Sequence, residues 1–154
     1  MTARRMAIAL AVGLASTSLV AVSWAQQGVV FNESLGIDLS QMNKTPRGVY
    51  WLDIQVGKGF SVDRGARLVI HYAGWLPDGT LFDSSKIKNQ PVELKLGDAR
   101  VIKGWEDGIR GMKQGGVRVL VIPPKLGYGS KGVAPLIPPD ATLIFQIELV
   151  RASR

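Results

Sequence analysis

Cysteine is absent from the 154 residues, and histidine occurs once. The first absence excludes disulfides, thiolate nucleophiles and cysteine-based zinc sites; the second excludes a multi-histidine metal centre. Neither a Gly-x-Ser-x-Gly elbow nor a phosphate-cradling glycine loop followed by Lys-Ser/Thr occurs, so the common signatures of hydrolytic and nucleotide chemistry are missing. Ser85-Lys86-Ile87-Lys88 satisfies a Ser-x-x-Lys pattern but lacks the companion motifs that would give it meaning. The net charge is +7, yet no run of four or more Lys or Arg occurs, which argues for an ordinary solvated surface and against a nucleic-acid partner. No metal and no cofactor is expected. The single His71 lies in the apolar stretch Arg67-Leu68-Val69-Ile70-His71-Tyr72 and reads as structural.

What the chain does have begins with one long apolar run. Arg4 and Arg5 precede residues 6–22, which are uncharged and rich in Ala, Val and Leu, and Ser23-Trp24-Ala25 follows. A short positive start, an apolar stretch and small residues at the exit form a secretory signal peptide, expected over residues 1–25 with cleavage after Ala25. The alternative is an uncleaved N-terminal membrane anchor, since 17 apolar residues approach the ~20 that span a bilayer. Removing both arginines from the total of +7 leaves +5. Residues 26–47 are polar and aperiodic and read as a flexible spacer. The domain is expected over residues 48–154.

Within it, β-branched and aromatic runs at residues 49–56, 67–75, 80–83, 92–96, 117–122 and 142–150 are separated by Gly, Pro and Asp turns, a strand signature. Val101, Trp105, Ile109 and Met112 recur at helical spacing, predicting one helix near residues 103–112. Sheet and helix each need the other to bury an apolar face. An α+β domain follows.

Three segments carry more aromatic and apolar side chains than strands and turns require: His71-Tyr72 with Leu81-Phe82-Asp83-Ser84-Ser85; Val101-Ile102-Lys103-Gly104-Trp105; and the proline-rich loop of about 20 residues from Pro123 through Tyr128 to Pro139. Loops of that length in compact domains are usually functional. With no nucleophile, metal or cofactor, the chemistry narrows to binding or to a reaction that a shaped apolar pocket alone accelerates. Rotation about an X-Pro bond is such a reaction. Its barrier of roughly 18–20 kcal/mol comes from amide resonance that is lost in the twisted state.

The blocks Val69-Ile70-His71-Tyr72-Ala73-Gly74, Gly79-Thr80-Leu81-Phe82-Asp83-Ser84-Ser85, Val101-Ile102-Lys103-Gly104-Trp105-Glu106-Asp107-Gly108 and Ile137-Pro138-Pro139-Asp140-Ala141-Thr142-Leu143 resemble the signature segments of FKBP-type peptidyl-prolyl cis-trans isomerases, in family order. The resemblance covers about residues 48–151. It implies an antiparallel, five- to six-stranded half-barrel sheet wrapped around one short helix, with the pocket between them. Trp105 would form the floor, and Tyr72, Phe82, Val101, Ile102 and Phe145 the walls. The Ile102 N–H and the Tyr128 hydroxyl would donate to ligand carbonyls, Asp83 would be a buried carboxylate bonded to Tyr72, and Leu136 and Ile137 would close the loop side.

Three positions depart from the commonest family pattern. Lys88 stands where an Arg often pairs with the aspartate, Val92 where a pocket-edge Phe is frequent, and Val133-Ala134-Pro135 where His-Pro-Gly is usual. They bear on macrolide affinity and substrate preference. The implied protein is a monomeric folding catalyst for proline-containing polypeptides, periplasmic or secreted. A rival reading is a binding module that grips apolar peptide without catalysis.

Overall fold

The computed structural model describes residues 28–154, so the expected export segment at residues 1–25 lies outside the described residues. Seven strands form one antiparallel sheet: β1 (Asn43–Lys44), β2 (Tyr50–Gln55), β3 (Arg67–Trp75), β4 (Leu81–Ser84), β5 (Val92–Lys95), β6 (Val117–Ile122) and β7 (Leu143–Ser153). One helix, α1 (Lys103–Ile109), packs on its concave face. The strand order is β1-β2-β6-β7-β3-β4, and β5 also pairs with β3. The sheet is an open half-barrel. Its seventh strand, beyond the five or six expected, is the two-residue β1.

Alternation along the long strands decides which face is buried. Leu68 and Ile70 of β3 and Leu143, Phe145, Ile147 and Leu149 of β7 point inward and form the core with Leu120 and Ile122 of β6. β4 and β5 divide the edge of β3 that β7 does not use: Ala73, Gly74 and Trp75 pair with β4, and Arg67 through Ile70 pair with β5. Ser85, 2% exposed, fills the gap. Its Oγ accepts from the Tyr72 N–H at 2.8 Å, its own N–H donates to the Tyr72 carbonyl at 3.0 Å, and His71 Nδ1 lies 2.9 Å from the same Oγ. The lone histidine is thus bonded within the sheet.

The helix is shorter than its stripe of apolar residues. It ends at Ile109 because Arg110 is extended and Gly111 takes a φ of +85°, a left-handed turn that glycine adopts without steric cost. Met112 packs into the core from beyond the helix. Close approach to β6 depends on two further glycines. A Cβ on Gly104 would meet the Ile122 side chain at 2.3 Å, and one on Gly108 would meet Leu120 at 2.6 Å.

Arg118 of β6, buried to 4% exposure, fastens the helix end to the sheet. Its Nε and Nη2 donate to the two Asp53 carboxylate oxygens at 2.7 and 3.0 Å, and its Nη1 donates to the Gly108 and Arg110 carbonyls at 2.9 and 3.0 Å. The guanidinium also stacks over Trp51, 4.1 Å from the ring centre. That planar fork satisfies the helix-end carbonyls, which have no partner within the helix.

Residues 28–47 make specific contacts. Short 3₁₀ turns at Glu33–Leu35 and Leu39–Gln41 precede β1, which pairs with β2. The Asn32 N–H donates to the Pro77 carbonyl at 2.7 Å and its side-chain amide to the Asp78 carbonyl at 3.0 Å. Thr45 Oγ1 donates to Asp107 Oδ2 at 2.5 Å, linking this segment to the helix.

Candidate functional site

Between α1 and the open side of the sheet lies a cavity of about 410 Å³. It is lined by Tyr72 of β3, Phe82 and Asp83 of β4, Val92 of β5, the Ala99-Arg100-Val101-Ile102 segment leading into the helix, Trp105 of the helix, Tyr128 of the β6–β7 loop and Phe145 of β7. Nine of the eleven site residues expected from the sequence therefore meet in one place.

Leu136 and Ile137 are not among the lining residues. Ile137 turns into the core, 5% exposed, where backbone bonds with Val133 pin the loop, and Leu136 stands on its outer side, 58% exposed. Strand-like spacing cannot foretell this, because the loop reverses on itself. Ala99 and Arg100 line the cavity without having been singled out; their position just before the Val101-Ile102 pair is the signal that could have found them.

The walls are rigid aromatics in mutual edge-to-face contact. Ring centroids lie 5.0 Å apart for Tyr72 and Trp105, 5.3 Å for Trp105 and Phe145, and 5.5 Å for Phe82 and Phe145, within the range for favourable aromatic pairs. Gly74 makes this possible, since a Cβ there would come within 2.6 Å of the Phe82 ring and 2.7 Å of the Phe145 ring. The Trp105 indole N–H is buried with no partner among the described residues. Unpaired buried donors are rare in folded proteins.

The polar side of the cavity is a relay. The Tyr72 hydroxyl donates to Asp83 Oδ2 at 2.5 Å, Lys88 Nζ lies 2.6 Å from Asp83 Oδ1, and the Ser84 N–H also donates to Oδ1, at 2.9 Å. Burial by itself raises the Asp83 carboxyl, but the bonds from Lys88 and Tyr72 outweigh it and hold the group below the usual carboxylate range. Burial first, and then the Asp83 carboxylate, push the Tyr72 hydroxyl well above its usual value. Tyr128 shifts upward for the same two reasons. At neutral pH Asp83 is ionised while both tyrosines keep their protons. The Ile102 N–H, at the extended residue before the helix, finds no acceptor among the described residues.

The sequence profile described as FKBP-type peptidyl-prolyl cis-trans isomerase matches residues 59–150. The chain belongs to that family. An FK506-binding protein of Neisseria meningitidis serogroup A is 50% identical over 99 residues, covering 64% of this chain and 91% of the relative. The mouse peptidyl-prolyl cis-trans isomerase FKBP2 is 52% identical over 91 residues, covering 59% of this chain and 65% of the relative. Among solved structures, AtFKBP13 superimposes with a TM-score of 0.68 at 37% identity over 73% of this chain and 99% of that one. FkpA from Escherichia coli superimposes with a TM-score of 0.69 at 36% identity over 79% and 55%. This FKBP is accordingly a peptidyl-prolyl isomerase with the α+β half-barrel of its family. Among the described residues no helix is long and apolar enough to cross a membrane, and no three His, Asp or Glu side chains are grouped to hold a metal ion.

Proposed function

We propose that this isomerase is exported, its first 25 residues serving as a signal peptide, and that it accelerates X-Pro rotation in extracytoplasmic polypeptides through the aromatic cavity, without covalent chemistry. The observation that carries the reading is the cavity itself: four aromatic rings around a space of about 410 Å³, with donors at one edge. Proline would rest on Trp105 against Tyr72, Phe82, Val92, Val101 and Phe145.

Water stabilises the planar, charge-separated amide better than the twisted one, so transfer to a dry cavity favours twisting. The unengaged Ile102 N–H and the Tyr128 hydroxyl at the rim would hold the neighbouring carbonyls, so that binding is strongest in the twisted geometry. Asp83 would act through Tyr72, fixing its ring and proton. Leu136, exposed on the loop, would touch the client chain outside the cavity, and Ile137 would support that loop from the core. The macrolide for which the bacterial relatives are named would occupy the same space, with Val92 offering a smaller wall than an aromatic residue. The export segment read at residues 1–25 would place its action in the periplasm or outside the cell. A monomer suffices, since one chain supplies every residue of the cavity.

The test is the cis-to-trans rate of a proline tetrapeptide with the native protein and with Asp83→Ala and Phe82→Ala variants. Acceleration that falls by about tenfold or more in both, a loss of about 1.4 kcal/mol of transition-state stabilisation, is expected. Unchanged turnover in both folded variants would remove these residues from the site. A folded native protein that binds the peptide without accelerating it would be a binding module instead. The mass of the protein recovered from its compartment checks the export reading: loss of residues 1–25 is expected, and retention would mean an anchor.

A further inference from the structure

On the outer face of the sheet, around the edge from the cavity, lies a groove of about 380 Å³ with Arg67, Lys95, Arg100 and Arg151 among its lining residues and Glu93 as its one carboxylate. Its cations are placed by the strand register. Lys95 of β5 sits directly opposite Arg67 of β3, and Arg151 of β7 sits opposite Val69. A bulge at Val150 shifts the β3–β7 register, so that Leu149 points inward and Arg151 two residues later points out.

Like charges directly opposed across a ladder destabilise a sheet. Glu93 offsets them only in part: the twelve Asp and Glu side chains all lie in the described residues, and none of them forms an ion pair with Arg67, Lys95 or Arg151. Asp98, whose carboxyl feels the Lys95 charge, is ion-paired with Arg100 at 2.8 Å. Arg100 also lines the proline cavity. The two spaces therefore share a side chain at the mouth of the site.

We propose that this groove is an exosite for acidic segments of the polypeptide clients whose proline enters the cavity. The proposal rests on the isomerase reading above. Continuity through Arg100 favours a polypeptide occupant, because one chain can leave the cavity over the edge of β5 and lie across β5, β3 and β7. Three strands span about 10 Å, which an extended chain crosses in about three residues. Clients with acidic residues within roughly six positions of the proline would be captured faster and held longer, an effect that salt weakens.

The experiment uses the full chain and four peptides: a neutral proline tetrapeptide and the same peptide extended at either end by Glu, Gln or Lys residues. At low ionic strength kcat/KM for the Glu-extended peptide should exceed that for the Gln-extended one by about fivefold, and the advantage should vanish at high salt. In an Arg67→Gln/Arg151→Gln variant the advantage should disappear while the rate on the neutral tetrapeptide stays the same. Equal rates for Glu and Gln extensions in the native protein would overturn the proposal. So would an advantage that the variant retains in full and that a Lys103→Gln/Lys125→Gln variant loses, which would assign it to the neighbouring cleft.

If the native protein accelerates no peptide, the isomerase reading fails on its own. Fluorescence anisotropy of a labelled Glu peptide lacking proline then decides the groove separately: salt-sensitive binding lost in the variant supports it, and no binding overturns it. Binding of phosphatidylglycerol vesicles in place of the acidic peptide would also overturn it.

Discussion

At the scale of single residues, Asp83 and Ser85 do different work on the same tyrosine. Asp83 holds the Tyr72 ring by its hydroxyl, and Ser85 holds its backbone. Replacing Ser85 by Ala leaves the buried Tyr72 N–H without its acceptor, at a cost of about 1–3 kcal/mol. A lowered thermal midpoint with a proportionate loss of isomerase activity is expected, and an unchanged midpoint would show that water replaces the hydroxyl.

The pH response follows from the direction of the shifts. Asp83 is depressed in the folded protein, so its contribution is fully present above the unfolded carboxylate value of about 3.9 and is lost as the pH falls through the lower folded value. Tyr72 is raised, so its contribution is fully present below the unfolded tyrosine value of about 10 and is lost as the pH rises through the higher folded one. Activity of the folded enzyme should therefore be flat from about pH 5 to 9 as far as these two groups are concerned. A titration of rate against pH checks it: a step near neutrality would implicate another group.

At the scale of elements, the two glycines of α1 set the depth of the cavity floor. A Gly104→Ala or Gly108→Ala substitution improves helix propensity yet drives a methyl into Ile122 or Leu120. Overpacking of this kind typically costs about 1–3 kcal/mol. Either variant should unfold at lower denaturant concentration and bind a proline peptide more weakly as Trp105 is displaced. Equal stability would mean that the helix lifts without resistance. Arg118→Met should be worse, by roughly 3 kcal/mol or more, because it leaves Asp53 and two helix-end carbonyls without their donor.

The elements were legible in the sequence to different degrees, for physical reasons. Strands β3 and β6 fall where β-branched runs bounded by turns put them, and Trp105 and Ile109 fall on the buried helix face. Nine cavity residues were legible because their segments come in a recognisable order. Close approach at Gly104 and Gly108, the clamp at Arg118 and the Ser85 bridge depend on which atoms meet after folding, and no periodicity encodes that. Leu136 and Ile137 look equivalent as neighbours in an apolar loop; the turn between Val133 and Ile137 sends one out and the other in.

At the scale of the whole molecule, one strand carries the architecture. β3 pairs with β7, β4 and β5 and contributes Tyr72 to the cavity, so the site cannot open widely without losing the ladder at the centre of the sheet. Contacts made by residues 28–47 add to this body from outside: Asn32 on the Pro77-Asp78 turn, β1 on β2, and Thr45 on Asp107. A protein beginning at residue 48 should keep its isomerase activity and lose about 1–2 kcal/mol of stability, since these are a few partly exposed hydrogen bonds. Comparison of denaturant midpoints for the two lengths measures it.

Among the described residues β5 has a partner on one side only. An isomerase that meets proline-containing polypeptides beside a bare strand risks becoming a template on which those chains aggregate. Pro91 just before the strand and the outward charges of Glu93 and Lys95 guard against such pairing. Neutralising both charges with valine would turn that guarded margin into a sticky one, and the expected result is concentration-dependent light scattering in the presence of unfolded client, from a protein whose own fold is intact.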